Sequence, residues 1–177
     1  MYDLKKANKA LLFAVRAHAG QKMQYPNDVD YSAHIFGVAL TAINFMEDKN
    51  LDNDLIVVVA LLHDTLEDTS TKYEDLAFEF GKDVADGVLA LTKNSNLSKE
   101  KQMEDSLNRI LRLNKKEIAI VKLADRCFNT NEKVPTWPKE KQLRYLEESK
   151  LICEKIGHFC LPLKNKILDN LSKLLVQ

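Results

Sequence analysis

The stretch VVVALLHDTLEDT, Val57–Thr69, is the most informative part of the chain about its fold and its function. Six apolar residues in a row are followed, within seven positions, by a histidine, three carboxylates and two threonines. The apolar run favours burial, yet ionisable side chains are costly to bury unless they are paired or bind a cation. If the segment is buried, its ionisable side chains therefore need a partner that balances their charge.

Length and net charge limit the classes of function. A chain of 177 residues is long enough for one sizeable core, so we assign residues 1–177 to a single domain. The 26 basic and 26 acidic residues balance, which argues against long nucleic acid as a partner, because such partners require a positive surface. A small anionic ligand needs only a local basic cluster and is compatible with this balance.

The cysteines and the apolar runs indicate the compartment. Cys127, Cys153 and Cys160 are odd in number and form no C-x-x-C pair, which is typical of reduced thiols. No apolar run approaches the roughly 20 residues of a membrane span, and the first residues lack a signal-peptide pattern. We therefore expect a cytoplasmic protein without a membrane partner.

Helical periodicity dominates the chain. Glycine and proline are scarce, at 5 and 4 residues, and apolar residues recur at spacings of three and four. The sequence therefore predicts an all-α fold without strands, in which Thr71 and Glu74 form a capping box at the start of the fourth helix. Irregular segments are predicted over residues 21–31, 92–100 and 130–140. The predicted helices cover approximately residues 4–18, 32–46, 54–68, 72–80, 82–92, 99–113, 115–130, 138–157 and 161–175.

The polar end of the third predicted helix can converge on one point. Glu67 follows His63 by four residues and Asp64 by three, so on a continuous helix these side chains share one face. The alternative is a buried helix whose charged end has simply reached solvent. Residues on two other helices favour a shared site.

Asp125 and His34 lie on apolar faces of their predicted helices. Asp125 shares a stripe with Ile118 and Val121, where a carboxylate requires a cation or a salt bridge to lysine or arginine. His34 stands in the first turn of the second helix, where the dipole favours the neutral imidazole that binds metals. Taken alone, His34 would more often be a hydrogen-bonded core histidine than a ligand.

Together these residues form a mixed nitrogen and oxygen donor set without thiolates. Such a set suits Mn(II), Fe(II) or Zn(II) and argues against a structural zinc site. A divalent ion would also supply the positive charge that the buried helix end lacks. The candidate ligands are His34, His63, Asp64 and Asp125.

The order of these residues resembles the H…HD…D pattern of the HD-domain metal-dependent phosphohydrolases, an all-helical superfamily. The segments FAVRAHAGQ, ALLHDTLEDT, FEFGKDVADGVLALTK and VKLADRCFNT resemble successive landmarks of the hydrolase domain in RelA/SpoT homologues. The resemblance covers about residues 4–156 and extends to stand-alone small alarmone hydrolases related to metazoan SpoT homologues. It implies an HD-domain helical bundle of about eight to ten helices.

The resemblance also implies a reaction: Mn(II)-dependent removal of pyrophosphate from the 3′ position of guanosine tetra- or pentaphosphate, leaving GDP or GTP. The catalytic Glu-Asp pair of the family corresponds to Glu67 and Asp68, both retained, and its asparagine after the last metal ligand corresponds to Asn129. The family's metal ligands correspond to His34, His63, Asp64 and Asp125.

The substrate contacts that the resemblance implies lie elsewhere in the chain. In WPKEKQLRYLEE, Lys141 and Tyr145 match a basic residue and a tyrosine that contact the phosphate and sugar of the nucleotide. Lys99 matches a lysine near the phosphates, and Lys22 keeps the basic character of the segment after AHAGQ. For each lysine the alternative is an ordinary solvated charge.

Two positions depart from the family pattern. Met23 stands where an arginine that stacks on the base is expected, and methionine offers apolar contact without a guanidinium plane. Ile35 stands where the proline of PYIxHP is expected. The first change concerns recognition of the base, and the second concerns the entrance of the helix.

Three functions follow as hypotheses. The first is hydrolysis of the alarmone 3′-pyrophosphate. The second is phosphohydrolysis of another small nucleotide, for instance removal of the 2′-phosphate of NADPH, which the Met23 departure keeps open. The third is a metal- or nucleotide-binding module without catalysis, and the retained Glu67 and Asp68 argue against it.

Overall fold

Helices form all the regular secondary structure in the computed structural model, which describes residues 1–23, 28–46, 50–131 and 138–174. They are Leu4–Ala17 (α1), Ser32–Asn44 (α2), Asn53–Leu62 (α3), Thr65–Asp68 (α4), Tyr73–Phe80 (α5), Lys82–Leu91 (α6), Lys99–Leu113 (α7), Lys116–Thr130 (α8), Lys139–Lys155 (α9) and Leu161–Leu174 (α10), with a 3-10 turn at Gly157–Phe159. The all-α prediction is confirmed. None of the helices within these ranges is long and apolar enough to cross a membrane.

The prediction of one continuous third helix was wrong, because the helix is broken where the polar residues begin. α3 ends at Leu62, and α4 starts again at Thr65 after Asp64, whose φ of −99° and ψ of −2° interrupt the helical path. The hydroxyl of Thr65 donates to the carbonyl of Leu62 at 2.7 Å and so satisfies an acceptor at the end of α3. The two acidic positions Glu67 and Asp68 therefore belong to a separate short helix.

The start of the fourth predicted helix also differs from the expectation. The capping interaction lies one residue later than the predicted Thr71 and Glu74 pair: the Asp75 carboxylate accepts the backbone N–H of Lys72 at 2.9 Å. The hydroxyl of Thr71 instead bonds that of Thr69 at 2.8 Å. A carboxylate at either position can reach an exposed amide, so sequence spacing alone does not choose between the two registers.

The first irregular segment is closed by backbone hydrogen bonds. The N–H of Met23 donates to the carbonyl of Val29 at 2.9 Å, and the N–H of Tyr31 donates to that of Gln21 at 3.0 Å. They flank an isolated antiparallel bridge between Lys22 and Asp30. Residues 24–27 of this segment, and residues 132–137 of the third predicted irregular segment, lie outside the described residues.

α3 forms the centre of the core. Every residue of this helix from Leu55 to Leu62 is buried, as expected for a helix that is apolar on all faces. α1, α2, α6 and α8 pack around it. Each large apolar side chain buried in this way contributes about 1.5–3 kcal/mol to stability, so α3 presents its polar end from a fixed position.

Gly37 allows α2 and α8 to approach closely. A Cβ at this position would overlap the ring of Phe128 on α8. The same ring packs against His34, with ring centroids 5.5 Å apart. The glycine therefore sets the distance between the helix that carries His34 and the helix that carries Asp125.

Replacing Gly37 with alanine is expected to lower the free energy of unfolding by about 1–3 kcal/mol, because the Phe128 ring has His34 behind it and must shift. The better helix propensity of alanine, about 1 kcal/mol, offsets only part of this loss. Urea unfolding followed by circular dichroism measures the change. Leu40→Ala, on the exposed face of the same helix, is the control and should change stability much less. A Gly37→Ala protein as stable as the wild type would contradict this packing.

Candidate active site

Two histidines from different helices bring ring nitrogens together in the core. The Nε2 atoms of His34 on α2 and His63 at the end of α3 lie 3.1 Å apart, and both side chains are buried. Nδ1 of His63 lies 2.8 Å from the carbonyl oxygen of Ala60, which can only accept a hydrogen bond. This contact assigns a proton to Nδ1 and leaves the Nε2 lone pair of neutral His63 facing His34.

Two carboxylates complete the cluster. Oδ2 of Asp64 lies 3.0 Å from Nε2 of His63 and 3.2 Å from Nε2 of His34. Oδ1 of Asp125 lies 3.7 Å from Nε2 of His34 and 4.0 Å from Nε2 of His63. The structure therefore brings all four predicted metal ligands to one point.

The donor set fits a divalent cation. Burial alone would lower the pKa of His63, but the carboxylates of Asp64 and Asp125 outweigh it and raise that pKa to about 9. The two carboxylates thus draw positive charge into a buried site. A metal ion would replace the proton on the imidazole and satisfy nitrogen and oxygen donors together. Donor atoms of His34, His63 and Asp125 all lie within 4.8 Å of one another.

Tyr31 is a site residue that the sequence analysis missed. Its hydroxyl lies 2.6 Å from Oδ2 of Asp64 and 3.3 Å from Oδ2 of Asp68, and so links a candidate ligand to a candidate catalytic residue. Burial, together with the negative charge of Asp64, raises the pKa of Tyr31, so the phenol stays a proton donor. The available signal was its position three residues before His34, at the start of the same helix.

Asp125 is held by its own helix. The side-chain amide of Asn129 donates to Oδ1 at 2.6 Å, and Nζ of Lys122 lies 3.4 Å from Oδ2. Burial disfavours ionisation of Asp125, but the neighbouring charges of Lys122 and the histidines lower its pKa. Asn129 was predicted as a substrate contact; the structure places its amide on the carboxylate of Asp125.

Glu67 and Asp68 occupy different environments. Glu67 accepts two hydrogen bonds from Lys93, one from the backbone N–H at 2.9 Å and one from Nζ at 2.7 Å. Asp68 is partly buried, and burial together with the charges of Asp64 and Glu67 raises its pKa. Lys93 was not singled out by the sequence analysis, because nothing in a one-dimensional pattern relates it to Glu67, 26 residues earlier.

All the predicted site residues line one cavity of about 720 Å³. The metal-ligand cluster lies at this cavity together with the catalytic pair, and cationic side chains contribute to the rest of the wall. The predicted substrate contacts that line it are Lys22, Lys99, Asn129, Lys141 and Tyr145. Lys93, Lys122, Arg126 and Arg144 add further positive charge to the wall.

Arg126 connects α8 to the predicted substrate contact on α9. Its guanidinium carbon lies 3.7 Å from the centroid of the Tyr145 ring, a cation–π geometry. It also donates to Oγ of Ser149 at 3.3 Å and to a carboxylate oxygen of Glu148 at 3.2 Å. Arg126 is only 3% exposed, so this position of Tyr145 is fixed from inside the protein. The sequence analysis did not identify Arg126.

Met23 and Ile35, the two residues that depart from the family pattern, lie in different parts of the structure. Met23 is 7% exposed and lines the cavity, where its thioether replaces the expected guanidinium. Ile35 is buried in the core next to His34 in the chain, and α2 begins at Ser32 without the proline. Only the change at Met23 therefore alters a surface that faces the cavity.

A protein-family model described as "HD domain" matches residues 10–154. The chain belongs to the HD-domain family. HD domains bind divalent metals, and the cluster of His34, His63 and Asp125 is a possible metal site of this HD domain.

Curated relatives include two short hydrolases. The guanosine-3′,5′-bis(diphosphate) 3′-pyrophosphohydrolase MESH1 of Xenopus tropicalis is 30% identical over 70% of this chain and 67% of its own length. The MESH1 protein of Danio rerio is 30% identical over 76% of this chain and 75% of its own length. The GTP pyrophosphokinase rsh of Brucella ovis is 31% identical over 80% of this chain, which corresponds to 18% of that longer protein.

Solved structures share the helical fold. A metazoan ortholog of SpoT, described as hydrolyzing ppGpp and playing a role in starvation responses, superposes with a TM-score of 0.81. It is 23% identical and the match covers 98% of this chain and 97% of that one. A Listeria monocytogenes protein matches with a TM-score of 0.64 at 21% identity, over 80% of this chain and 94% of its own. These likenesses confirm the predicted fold.

Asp125→Ala is expected to weaken metal binding by more than about tenfold and to abolish activity with it, because it removes an oxygen donor from the cluster. Metal bound per protein after gel filtration, measured by mass spectrometry, provides the test. Asp169→Ala, which removes an exposed aspartate paired with Lys173, is the control and should retain full metal content. Full metal content in Asp125→Ala would exclude Asp125 as a ligand.

Tyr31→Phe is expected to reduce metal affinity by about 10–100-fold, because partners that orient a liganding carboxylate contribute this much. Competition with a chromophoric chelator gives the affinity. Tyr73→Phe serves as the matched control, since it removes a phenol hydroxyl from Asp86, neither of which lines the cavity. Equal affinities of both variants would mean that the contact between Tyr31 and Asp64 does not support the site.

Proposed function

We propose that this HD domain hydrolyses the 3′-pyrophosphate of guanosine tetra- or pentaphosphate, giving GDP or GTP and pyrophosphate. The observation that carries the proposal is the combination of a His, His, Asp cluster with an adjacent Glu-Asp pair in a chain that is 30% identical to MESH1 hydrolases over most of their length. Those relatives are named for this reaction. A small nucleotide is accordingly the proposed partner.

The metal would be held by His34, His63, Asp64 and Asp125, a donor set that suits Mn(II), Fe(II) or Zn(II), and we propose Mn(II) because the family resemblance implies it. A divalent cation bound there would supply a water of lowered pKa and stabilise charge on the phosphoryl oxygens. Tyr31 would orient the Asp64 carboxylate by its 2.6 Å hydrogen bond.

The protein's own groups would handle the water and the leaving group. Water adds to the phosphorus next to the 3′ oxygen, the bond from phosphorus to that oxygen breaks, and the 3′ oxygen takes up a proton as pyrophosphate leaves. Glu67 is the residue proposed to orient the attacking water and to accept the proton that this water loses. Burial and the charges of Asp64 and Glu67 raise the pKa of Asp68, and we assign this carboxyl to donate the proton to the 3′ oxygen.

The cavity suits a nucleotide with several phosphates. Its volume of about 720 Å³ falls in the range of small-molecule sites, roughly 300–1,000 Å³. Lys22, Lys99 and Lys141 supply positive charge around it, and Tyr145 supplies a ring held by Arg126. Since residues from Gln21 to Glu148 contribute to this cavity, we also propose that residues 1–177 act as one domain. We propose a cytoplasmic enzyme because its three cysteines are free thiols.

Recognition of the base is the reason for comparing guanosine tetraphosphate with a second substrate. Met23 gives the cavity an apolar surface where family members carry the stacking arginine, so the base contributes less binding energy than in those members. The 2′-phosphate of NADPH is the alternative substrate that this change keeps in consideration.

A substrate panel separates these activities. Purified protein is incubated with guanosine tetraphosphate, NADPH or ordinary nucleotides, with Mn(II) or with a chelator, and released pyrophosphate is distinguished from phosphate. The proposal predicts Mn(II)-dependent release of pyrophosphate from guanosine tetraphosphate. Phosphate release from NADPH without alarmone turnover would replace it with the second activity, and bound metal without any turnover would leave a binding module.

Glu67→Gln is expected to keep the metal and to lower kcat by about 10²–10⁴-fold, the usual contribution of a group that assists proton transfer. Metal content and steady-state rates are measured on the same preparation. Glu79→Gln, which neutralises a carboxylate paired with Lys9 outside the cavity, is the control. An unchanged rate in Glu67→Gln would remove Glu67 from the mechanism.

A further inference from the structure

The two hydrogen bonds from Lys93 to Glu67 differ in kind. The backbone N–H holds Oε2 at 2.9 Å whatever side chain stands at position 93. The ammonium holds Oε1 at 2.7 Å and can leave by rotation of its own side chain. Departure of the ammonium would therefore uncover one oxygen of Glu67 while the backbone amide keeps the carboxylate in place.

Lys93 is placed to make such a movement. It directly follows Thr92, the C-terminal cap of α6, and its side chain lines the cavity with 45% of its surface exposed. Burial opposes the charge on Lys93, but the Glu67 carboxylate and, more weakly, Asp125 and Asp64 raise its pKa, so the side chain carries a positive charge toward the metal-ligand cluster. An ammonium on a flexible stem that faces acidic groups is a suitable receptor for a mobile anion.

We propose, on the basis of the function proposed above, that Lys93 is a phosphate-binding residue that transfers its ammonium from Oε1 of Glu67 to the pyrophosphoryl group of the substrate. Glu67 then keeps the backbone hydrogen bond on Oε2 and presents Oε1 to the attacking water. Binding of the pyrophosphoryl group and release of the water-orienting carboxylate become one event.

Charge provides the reason for the transfer. A pyrophosphoryl group carries more negative charge than the single carboxylate of Glu67, and hydrogen bonds between ammonium and phosphate oxygens are among the stronger ones in proteins. A carboxylate oxygen paired with an ammonium is a weaker acceptor for water, because the ammonium takes one of its two lone pairs and draws electron density from the other. Ligands without a pyrophosphoryl group within reach of Nζ would leave Glu67 paired.

Lys93 would help to select which phosphorylated groups the site hydrolyses. Diphosphorylated positions would both bind and activate the site, whereas a monophosphate ester too short to engage Nζ would bind without freeing Oε1. This selection acts on the scissile group and is separate from recognition of the base near Met23.

The test is a double-mutant cycle on pyrophosphate binding. Metal-loaded wild type, Lys93→Met, Glu67→Gln and the double variant are titrated with inorganic pyrophosphate in a calorimeter at a fixed concentration of free Mn(II). Lys93→Met should weaken pyrophosphate binding about tenfold, as loss of a charged hydrogen bond does, without change in the binding of guanosine, which has no phosphate. Glu67→Gln should tighten pyrophosphate binding about threefold or more in the Lys93 background and have little effect in the Lys93→Met background.

The control removes a lysine that does not face the cavity. Lys82→Met, at the other end of α6, takes away an exposed ammonium paired with Asp86 and should leave pyrophosphate binding unchanged. Lys93→Arg keeps the charge and should bind pyrophosphate more tightly than Lys93→Met. Circular dichroism and metal content verify that each variant is folded, and Lys93→Gln replaces Lys93→Met if the latter does not fold.

Two results would overturn the inference. One is an effect of Glu67→Gln that is the same with and without Lys93, because the carboxylate would then act on the anion only through its charge. The other is a Lys93→Met protein that binds pyrophosphate as well as Lys82→Met does. Neither result depends on turnover, so a failure to hydrolyse guanosine tetraphosphate would refute the proposed function while this binding cycle still decides the role of Lys93.

Discussion

The chain places imidazole nitrogens and carboxylate oxygens face to face at the end of a helix that is buried on every side. His63 continues directly from α3, whose apolar residues fix it in the core, and its bond to Ala60 aims Nε2 at the centre of the cluster. Asp64 ends the helical path and turns its carboxylate toward the same nitrogen, 3.0 Å away. Negative charge concentrated in the core is costly unless a positive charge balances it, and α2, the end of α3 and α8 each contribute side chains to this one cluster.

α8 contributes residues both to the cluster of histidines and aspartates and to the wall of the cavity. Asp125 points to the histidines, the next residue, Arg126, holds the Tyr145 ring of α9, and Phe128 packs against Gly37 of α2. Neighbouring residues of one helix therefore face three different parts of the site. A displacement of α8 that disturbs the cluster of histidines and aspartates would therefore also move the Arg126 and Tyr145 wall of the cavity.

Much of this could be predicted from the sequence, because helical periodicity and the positions of His34, His63, Asp64 and Asp125 are local signals. The break before Thr65 could not, since a short polar segment after an apolar run reads as a continuing helix and only packing decides its direction. The contacts of Lys93 with Glu67 and of Arg126 with Tyr145 could not be predicted either, because contacts between distant segments produce no periodic pattern in the sequence. These four residues line the same cavity as the residues that the sequence predicted.

The antiparallel bridge in the first irregular segment has a consequence for how such a site can change over evolutionary time. The hydrogen bonds around it are made by the backbone of Gln21, Met23, Val29 and Tyr31, and none of them uses the side chain at position 23. Substitution there can alter the wall of the cavity while the segment still places the Tyr31 hydroxyl on Asp64. The segment thus separates a side chain that can vary, at position 23, from one that bonds the cluster eight residues later, so the wall of the cavity can change in evolution while the cluster keeps its hydrogen bond from Tyr31.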